Sequence, residues 1–314
     1  MSVIGTPGMS AARPPEGAKA PAGGSAVHEV TSVGATMNVF EEPKIDCHCH
    51  VLDPARFPYA PDVAYRPAGQ ELGPFDQYQQ VMTAYGIRHA LLVGPNSGYG
   101  LDNRCLLDAI ARSQGRVKGI AVVPNDIDDD GLLALREAGV IGVALNATVL
   151  GTAHVLAAAP LLRRLARLDM LLSLQVEHDQ MVEVRRTVED SGVRVLIDHA
   201  GRPAAGGGVG QPGFRELLAM ASSGRVAVKL SGYQKFSSQP PPYTDARPFI
   251  EALVETFTLD NCLWASDWPF LRAPQRLDVG PLLMQVQALL PGEQDRRRLF
   301  WDSPKRWLGF ETAA

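Results

Sequence analysis

Ile45-Asp46-Cys47-His48-Cys49-His50 is the stretch on which the reading of this chain turns. It opens apolar and closes on two histidines at alternate positions, the pattern of a buried strand that ends in a polar site. Successive side chains of a strand point to opposite faces, so His48 and His50 share one face and Cys47 and Cys49 the other. The imidazoles are then expected to look into the space the strands enclose. Cys47 and Cys49 are expected to face the surrounding helices, where a free thiol behaves as a small buried hydrophobe.

Working outward, Lys44–His50 is the first of eight runs rich in Val, Ile and Leu. The others are Arg88–Val93, Val117–Val123, Ile141–Asn146, Leu171–Val176, Val193–Asp198, Val226–Lys229 and Leu263–Ser266. Amphipathic segments lie between them: Phe75–Tyr85, Asn103–Ser113, Asp129–Ala138, Leu156–Leu168, Asp179–Asp190, Gly213–Ser222, Asp245–Thr256 and Gly280–Leu290, with Glu293–Leu308 closing the chain. Strands that alternate with helices form a parallel sheet. An open, doubly wound sheet would carry a Gly-x-Gly-x-x-Gly turn after the first strand, and none is present. The expectation is an α/β fold, a (β/α)₈ barrel over residues 44–314. Long segments after the first, sixth and seventh strands (51–74, 200–212 and 231–244) are expected to enclose a pocket at the face where barrels carry their sites.

The same face collects further chemistry-bearing side chains. Asp198-His199 ends the sixth run and Ser266-Asp267-Trp268-Pro269 the eighth. His48, His50, His199 and Asp267 would thus converge either as a metal-free acid/base and electrophilic site or as a site for one divalent ion, zinc or manganese, held by His48, His50 and Asp267. Asn96, Ser97, Asn146, Gln175 and Ser231 are expected to line the pocket, although Asn146 and Gln175 suit loop-backbone capping equally well. Glu177 and His178 are adjacent, so only one can face inward. Arg202 and Lys235 are the best placed of the cations (Arg104, Arg202, Lys229, Lys235) to meet a substrate carboxylate. Tyr65, in a proline-rich loop, is expected to present its hydroxyl to a ligand. His28, His89 and His154 read as surface residues.

Composition narrows the partners. The chain has 314 residues with 46% hydrophobic and 20% charged, the balance of a globular protein. A net charge of −4 offers no attraction for nucleic acid or an anionic membrane, and no apolar stretch reaches the roughly 18 residues a membrane span needs. A small-molecule substrate, a lactone or carboxylate, is the expectation, with a homo-oligomer left open. Four cysteines are too few for a disulfide scaffold, which fits a reducing cytoplasm. Residues 1–43, rich in Pro, Gly and Ala without helical period, read as a disordered tail without a targeting signal.

Several stretches together resemble the amidohydrolase-related family, amidohydrolase 2, which includes 2-pyrone-4,6-dicarboxylate lactonase, sugar-lactone hydrolases and isomerases, and metal-dependent decarboxylases. They are Asp46 through His50, Phe57-Pro58-Tyr59-Ala60-Pro61, Asp102-Asn103-Arg104, Asp198-His199 with Gly201-Arg202-Pro203, and Trp264 through Pro269. The dicarboxylate lactonase is the nearest pattern. The resemblance implies that Asp267 is a general base for water, that His48, His50 and His199 polarise a lactone carbonyl directly or through a metal, and that Tyr65 touches substrate.

Departures from that pattern shape the substrate expectation. Ala144 and Leu150 stand where the lactonase has carboxylate-clamping arginines, Lys235 stands at a third arginine position, and Gln175 replaces a tyrosine. Gln175 and Pro242-Tyr243-Thr244-Asp245 are similar to isomerase members, which lack the aspartate that Asp267 retains. The resemblance therefore implies hydrolysis of a lactone less charged than the pyrone dicarboxylate. The rivals are a lactone isomerase, a metal-dependent decarboxylase or hydrolase, which a histidine ending the fifth strand would support, and a non-catalytic metabolite-binding barrel.

Overall fold

The computed structural model describes residues 38–63 and 65–311, and the statements below concern those residues. Eight parallel strands pair in sequence order: β1 Lys44–Cys49, β2 Ile87–Val93, β3 Val117–Ala121, β4 Val140–Asn146, β5 Leu171–Gln175, β6 Arg194–Ile197, β7 Val226–Leu230 and β8 Cys262–Trp264. Beyond β8 the chain returns to β1. The Asp267 N–H donates to the His48 carbonyl at 2.9 Å and the His50 N–H to the Trp268 carbonyl at 2.8 Å. These bonds stitch the barrel beside the residues expected to be functional.

Helices follow the strands: α1 Phe75–Ala84, α2 Arg104–Arg112, α3 Asp129–Glu137, α4 Ala147–Leu150, α5 Thr152–Ala157, α6 Ala159–Arg167, α7 Gln180–Ser191, α8 Pro212–Ala219, α9 Arg247–Phe257, α10 Val279–Leu289, α11 Glu293–Arg297 and α12 Ser303–Leu308. The single helix expected over 156–168 is two, with Ala158 between α5 and α6. The closing segment is likewise broken by a π-turn at Arg298–Asp302. Its end plugs the barrel floor: Trp307, Leu308 and Phe310 join the interior cluster, and Lys118 and Arg194, near strand starts, donate to carbonyls of Leu308 and Trp307.

Side-chain alternation builds two apolar layers. Ile45, Cys47, Leu91, Ile120, Leu196, Ala227 and Leu263 fill the barrel, while Cys49, Ala90, Leu92, Leu172, Val195, Val228 and Trp264 pack under the helices. Cys47 therefore does not face the helical ring as expected. The pairing of β1 with β2 advances from Asp46 opposite Ala90 to Cys49 opposite Leu92, three steps against two. A bulge of this kind inserts one residue and turns the parity of the strand, so Ile45 and Cys47 face inward below it and His48 and His50 above it. Asp46 staples the bulge from outside, accepting from the backbone N–H groups of His48 and Ser266, from the Ser266 hydroxyl and from the Tyr78 hydroxyl on α1. All four cysteines are free and buried.

The tail expectation fails at its C-terminal end and otherwise falls outside the described residues. Residues 38–43 pack on the barrel: Val39 is buried, and Glu42 makes a buried 2.6 Å ion pair with Arg296. That carboxylate is what permits a guanidinium to be buried there. No helix among the described residues is long and apolar enough to cross a membrane.

Candidate active site

A cavity of about 570 Å³ opens at the C-terminal ends of the strands, a size suited to a small metabolite. His48, His50, His199 and Asp267 meet in it, as do Asn96, Ser97, Asn146, Gln175, Arg202 and Lys235. Among the described residues, the segment after β1 contributes nothing to the lining beyond His50. The walls come instead from the segments after β2, β4, β5, β6 and β7 and from Leu271, Arg272 and Pro274 after β8.

Asp267 is fully buried and sits at φ +63°, a left-handed conformation that costs a non-glycine residue about 1–3 kcal/mol and persists only where the surroundings enforce it. Its Oδ2 accepts from Lys235 at 2.9 Å and from Gln234 at 3.2 Å. Its Oδ1 has no hydrogen-bond partner and lies 3.8 Å from His50 Nε2 and 3.5 Å from His199 Nε2. Burial pushes this carboxyl up, but the ammonium of Lys235 and the facing imidazoles outweigh it and hold the group below the usual carboxylate range. Lys235 thus serves the aspartate rather than standing free for a substrate anion.

The imidazoles are oriented from behind. His50 Nδ1 lies 2.7 Å from the Val93 carbonyl, which can only accept, so the proton is on Nδ1 and the Nε2 lone pair faces Asp267. His199 Nδ1 lies 3.0 Å from the Ser231 hydroxyl. His199 and the next three residues all have positive φ, at 52, 56, 72 and 44°. This left-handed run, strained at each non-glycine, turns the imidazole back over the barrel mouth. At Gly232 an added Cβ would fall 2.6 Å from His199 Nδ1, so only glycine lets the ring settle.

Beneath His48 lies a polar cluster that alternation alone does not reveal. Lys229 has no exposed surface, although its position near a strand end suggested a cation at the mouth. Its ammonium lies 2.8 Å from Asp198 Oδ1, 3.0 Å from Ser173 Oγ and 3.1 Å from His48 Nδ1. Burial raises the Asp198 carboxyl, but Lys229 and His48 beside it more than reverse that and hold it well down. A protonated Lys229 has one N–H for each partner. The third makes His48 Nδ1 an acceptor and leaves the His48 proton on Nε2.

The secondary positions divide. Asn146 takes the capping role weighed for it, its Oδ1 accepting from the N–H groups of Thr148 and Val149 while the residue still lines the cavity. Gln175 donates to Thr148 Oγ1. Glu177 faces the cavity and pairs with Arg202 at 2.9 Å, whereas His178 is exposed, so no histidine from the fifth strand reaches the site. Tyr65 is not in the lining: its hydroxyl donates to Glu71 and its ring underlies Arg272. Arg104 is exposed, lies outside the lining and pairs with Asp102. His89 is half-buried and stacks on Phe310 rather than lying free on the surface, and His28 falls outside the described residues. Gln234, Arg272 and the partnership of Ser173, Asp198 and Lys229 escaped the sequence reading. The first two sit in segments without periodicity, while the third depends on the distances between Ser173 on β5, Asp198 just after β6 and Lys229 on β7.

Burial pushes the His50 imidazole down to about 3 and, with neighbouring His48, also lowers His199 well below its ordinary value of 6.5. Both groups bind fewer protons folded than unfolded between that depressed range and 6.5, so the stability they allow is complete above pH 6.5 and is lost as pH falls below it. Each should withdraw up to about 1.4 kcal/mol per pH unit. For metal-free protein the urea midpoint should fall steeply between pH 7 and pH 5, and less steeply in His50→Gln. Parallel slopes would show that His50 is not held neutral.

The family model described as amidohydrolase matches residues 45–310. The chain is 30% identical over 275 residues to 4-sulfomuconolactone hydrolase of Hydrogenophaga intermedia, covering 84% of this chain and 88% of that one. It is 28% identical to 2-pyrone-4,6-dicarboxylate hydrolase of Comamonas testosteroni, covering 83% and 88%. A Pseudomonas putida structure, solved as a candidate 2-pyrone-4,6-dicarboxylic acid hydrolase, superposes with a TM-score of 0.76 at 29% identity, covering 88% of this chain and 99% of its own.

Proposed function

The chain belongs to the amidohydrolase family, and we propose that it hydrolyses a lactone by attack of a water held by Asp267. The observation that carries this reading is Asp267 Oδ1: a buried, ionised carboxylate oxygen with no protein donor, at the floor of the cavity and facing two imidazoles. Such an atom is an unfilled acceptor, and leaving one costs about 1–3 kcal/mol or more. A water or substrate proton would fill it.

The orientations divide the labour. Asp267 Oδ1 and His50 Nε2 are both acceptors, so a water between them donates one proton to each and directs its lone pairs outward. His48 Nε2–H, set by Lys229, is a donor. His199 becomes one as well when Ser231 donates to its Nδ1, and both can then hold the lactone carbonyl oxygen. The water oxygen attacks the carbonyl carbon as Asp267 takes its proton, and the negative charge moves to the carbonyl oxygen against these two donors. Collapse breaks the ring C–O bond, and the proton on Asp267 passes to the departing ring oxygen. The product is a hydroxy acid or its keto tautomer.

A carboxylate as acidic as Asp267 is a weak base, which favours an activated ester such as an enol lactone, where little assistance is needed. The relatives compared above are named for a muconolactone and for a pyrone, both cyclic esters. The absence of a fifth-strand histidine from the cavity speaks against the decarboxylase-type metal set.

A divalent ion is compatible with the donors. His48, His50 and Asp267 bring ligand atoms within 4.8 Å of one another, and the unpartnered Oδ1 with the anchored His50 ring suits a zinc or manganese ligand set. Such an ion would supply Lewis-acid polarisation of the carbonyl. The Lys229 bond opposes that use of His48, because it keeps the proton on the nitrogen that would have to ligate. Protein purified without added metal is therefore expected to turn over a panel of five- and six-membered lactones, with chelation changing the rate by no more than about twofold. Activity lost on chelation and restored by zinc would overturn the hydrogen-bonding scheme. Failure on every lactone would overturn the function itself.

A further inference from the structure

The cations around the cavity are unequally committed. Arg202 is paired with Glu177 at 2.9 Å and Lys235 with Asp267 at 2.9 Å. Lys229, below, is paired with Asp198 at 2.8 Å. Arg272 also lines the cavity, yet its guanidinium makes no hydrogen bond or ion pair among the described residues. Resting on the lactone-hydrolase reading, we propose that Arg272 is a substrate-binding residue that takes a carboxylate carried on the lactone ring.

Arg272 is held rather than loose. Its guanidinium carbon stands 5.3 Å from the centre of the Tyr65 ring, and its backbone N–H donates to Glu71 Oε1 while the Tyr65 hydroxyl donates to Oε2 of the same carboxylate. Glu71 therefore fixes both the main chain of Arg272 and the aromatic face under its side chain, without taking the fork of guanidinium donors. The backbone at Arg272 lies at φ +57°, after Asp267 at +63° and Phe270 at +69°. Three non-glycine residues held in the left-handed region within one short segment mark a loop whose shape is imposed. That shape puts the proposed base and the uncommitted guanidinium on one cavity. A planar fork already oriented by stacking matches a carboxylate with two parallel bonds.

This placement also accounts for the rest of the lining. Glu177 and Asp267 are each neutralised by their own cation, so an anionic substrate meets no unbalanced charge there. The β4 side supplies only Ala144, Leu145, Asn146, Thr148 and Val149 to the lining, none of them a cation, and Arg202, which reaches Thr148, is already paired with Glu177. One carboxylate, directed to the β8 side, is what the charges accommodate.

The test compares 5-oxotetrahydrofuran-2-carboxylate with its uncharged carboxamide in wild type, Arg272→Gln, Arg272→Lys and, as a control on the same segment, Arg276→Gln. Arg272→Gln should lower kcat/KM on the carboxylate roughly 10- to 100-fold, mainly through KM, and leave the carboxamide within about twofold. Arg272→Lys should recover part of the loss, and Arg276→Gln should match wild type. Equal losses on both lactones, or no loss on either, would overturn the proposal. Binding of tetrahydrofuran-2-carboxylate, which has the anion and ring but no ester, is followed by NMR titration in the same proteins. Weaker binding in Arg272→Gln supports the carboxylate subsite even if wild type opens neither lactone, and an unchanged Kd overturns it even if both are opened.

Discussion

Asp267→Asn is expected to lower kcat by about three to four orders of magnitude while KM stays within a few-fold. The amide keeps the shape of the side chain and can still accept at one atom, so the cavity and the carbonyl donors remain. What is lost is the proton acceptor. The Oδ1 position has no protein donor, and in the variant the amide can present either an oxygen without charge or an NH₂ that repels the water protons. Lys235, 2.9 Å from Oδ2, would also lose its ionic partner, but it lies at the cavity edge where water can replace the bond. Single-turnover kinetics with product analysis would check this. A variant that keeps kcat within tenfold of wild type would remove Asp267 from the role of base.

Lys229→Met carries the second large effect, and it separates structure from chemistry. Removing the ammonium strands the buried Asp198 carboxylate, a loss of the order of 3–5 kcal/mol in folding stability. It also frees His48 Nδ1, so that the ring can donate from Nδ1 to Asp198 Oδ1, 3.4 Å away, and turn a lone pair toward the substrate. The carbonyl then loses a donor, which costs about a hundredfold or more in kcat where such donors have been deleted. The double variant Lys229→Met/Asp198→Asn removes the stranded charge and should recover most of the stability without recovering kcat. ¹⁵N NMR of the His48 ring should report the exchange of tautomer. Recovery of turnover along with stability would reduce Lys229 to a structural ion pair.

Much of the architecture was legible in the chain because it depends on local rules. Apolar runs of strand length separated by amphipathic segments specify a parallel barrel whatever the contacts between them, and histidine or aspartate at the ends of such runs falls on one face by topology alone. His48, His50, His199 and Asp267 were found this way. Composition bounded the partners for similar reasons of bulk charge and hydropathy.

Parity counting failed where a bulge intervened. Cys47 and His48 are neighbours that both face the interior, and the bulge responsible is stabilised by Asp46 through Ser266 and Tyr78, residues remote in sequence. Tyr65 lies in the loop expected for it, but its hydroxyl is taken by Glu71, a pairing that depends on how the loop folds back. Helix ends drifted by up to four residues, and the breaks at Ala158 and at the π-turn each fall just before a proline in the first turn of the next helix, Pro160 and Pro304, which cannot donate to the preceding turn.

The sequence by itself determined the barrel, the face that carries the site and the four residues that meet there, because strand alternation and strand order are short-range and topological properties. Only the tertiary structure decided which nitrogen of His48 and of His50 carries the proton, that Lys235 serves Asp267 while Arg272 stays uncommitted, and that Lys229 lies beneath the site instead of at its mouth. These are pairings between side chains tens to hundreds of residues apart, and the strength of an ionic or hydrogen-bonding contact is set by ångström distances and burial that no local pattern encodes.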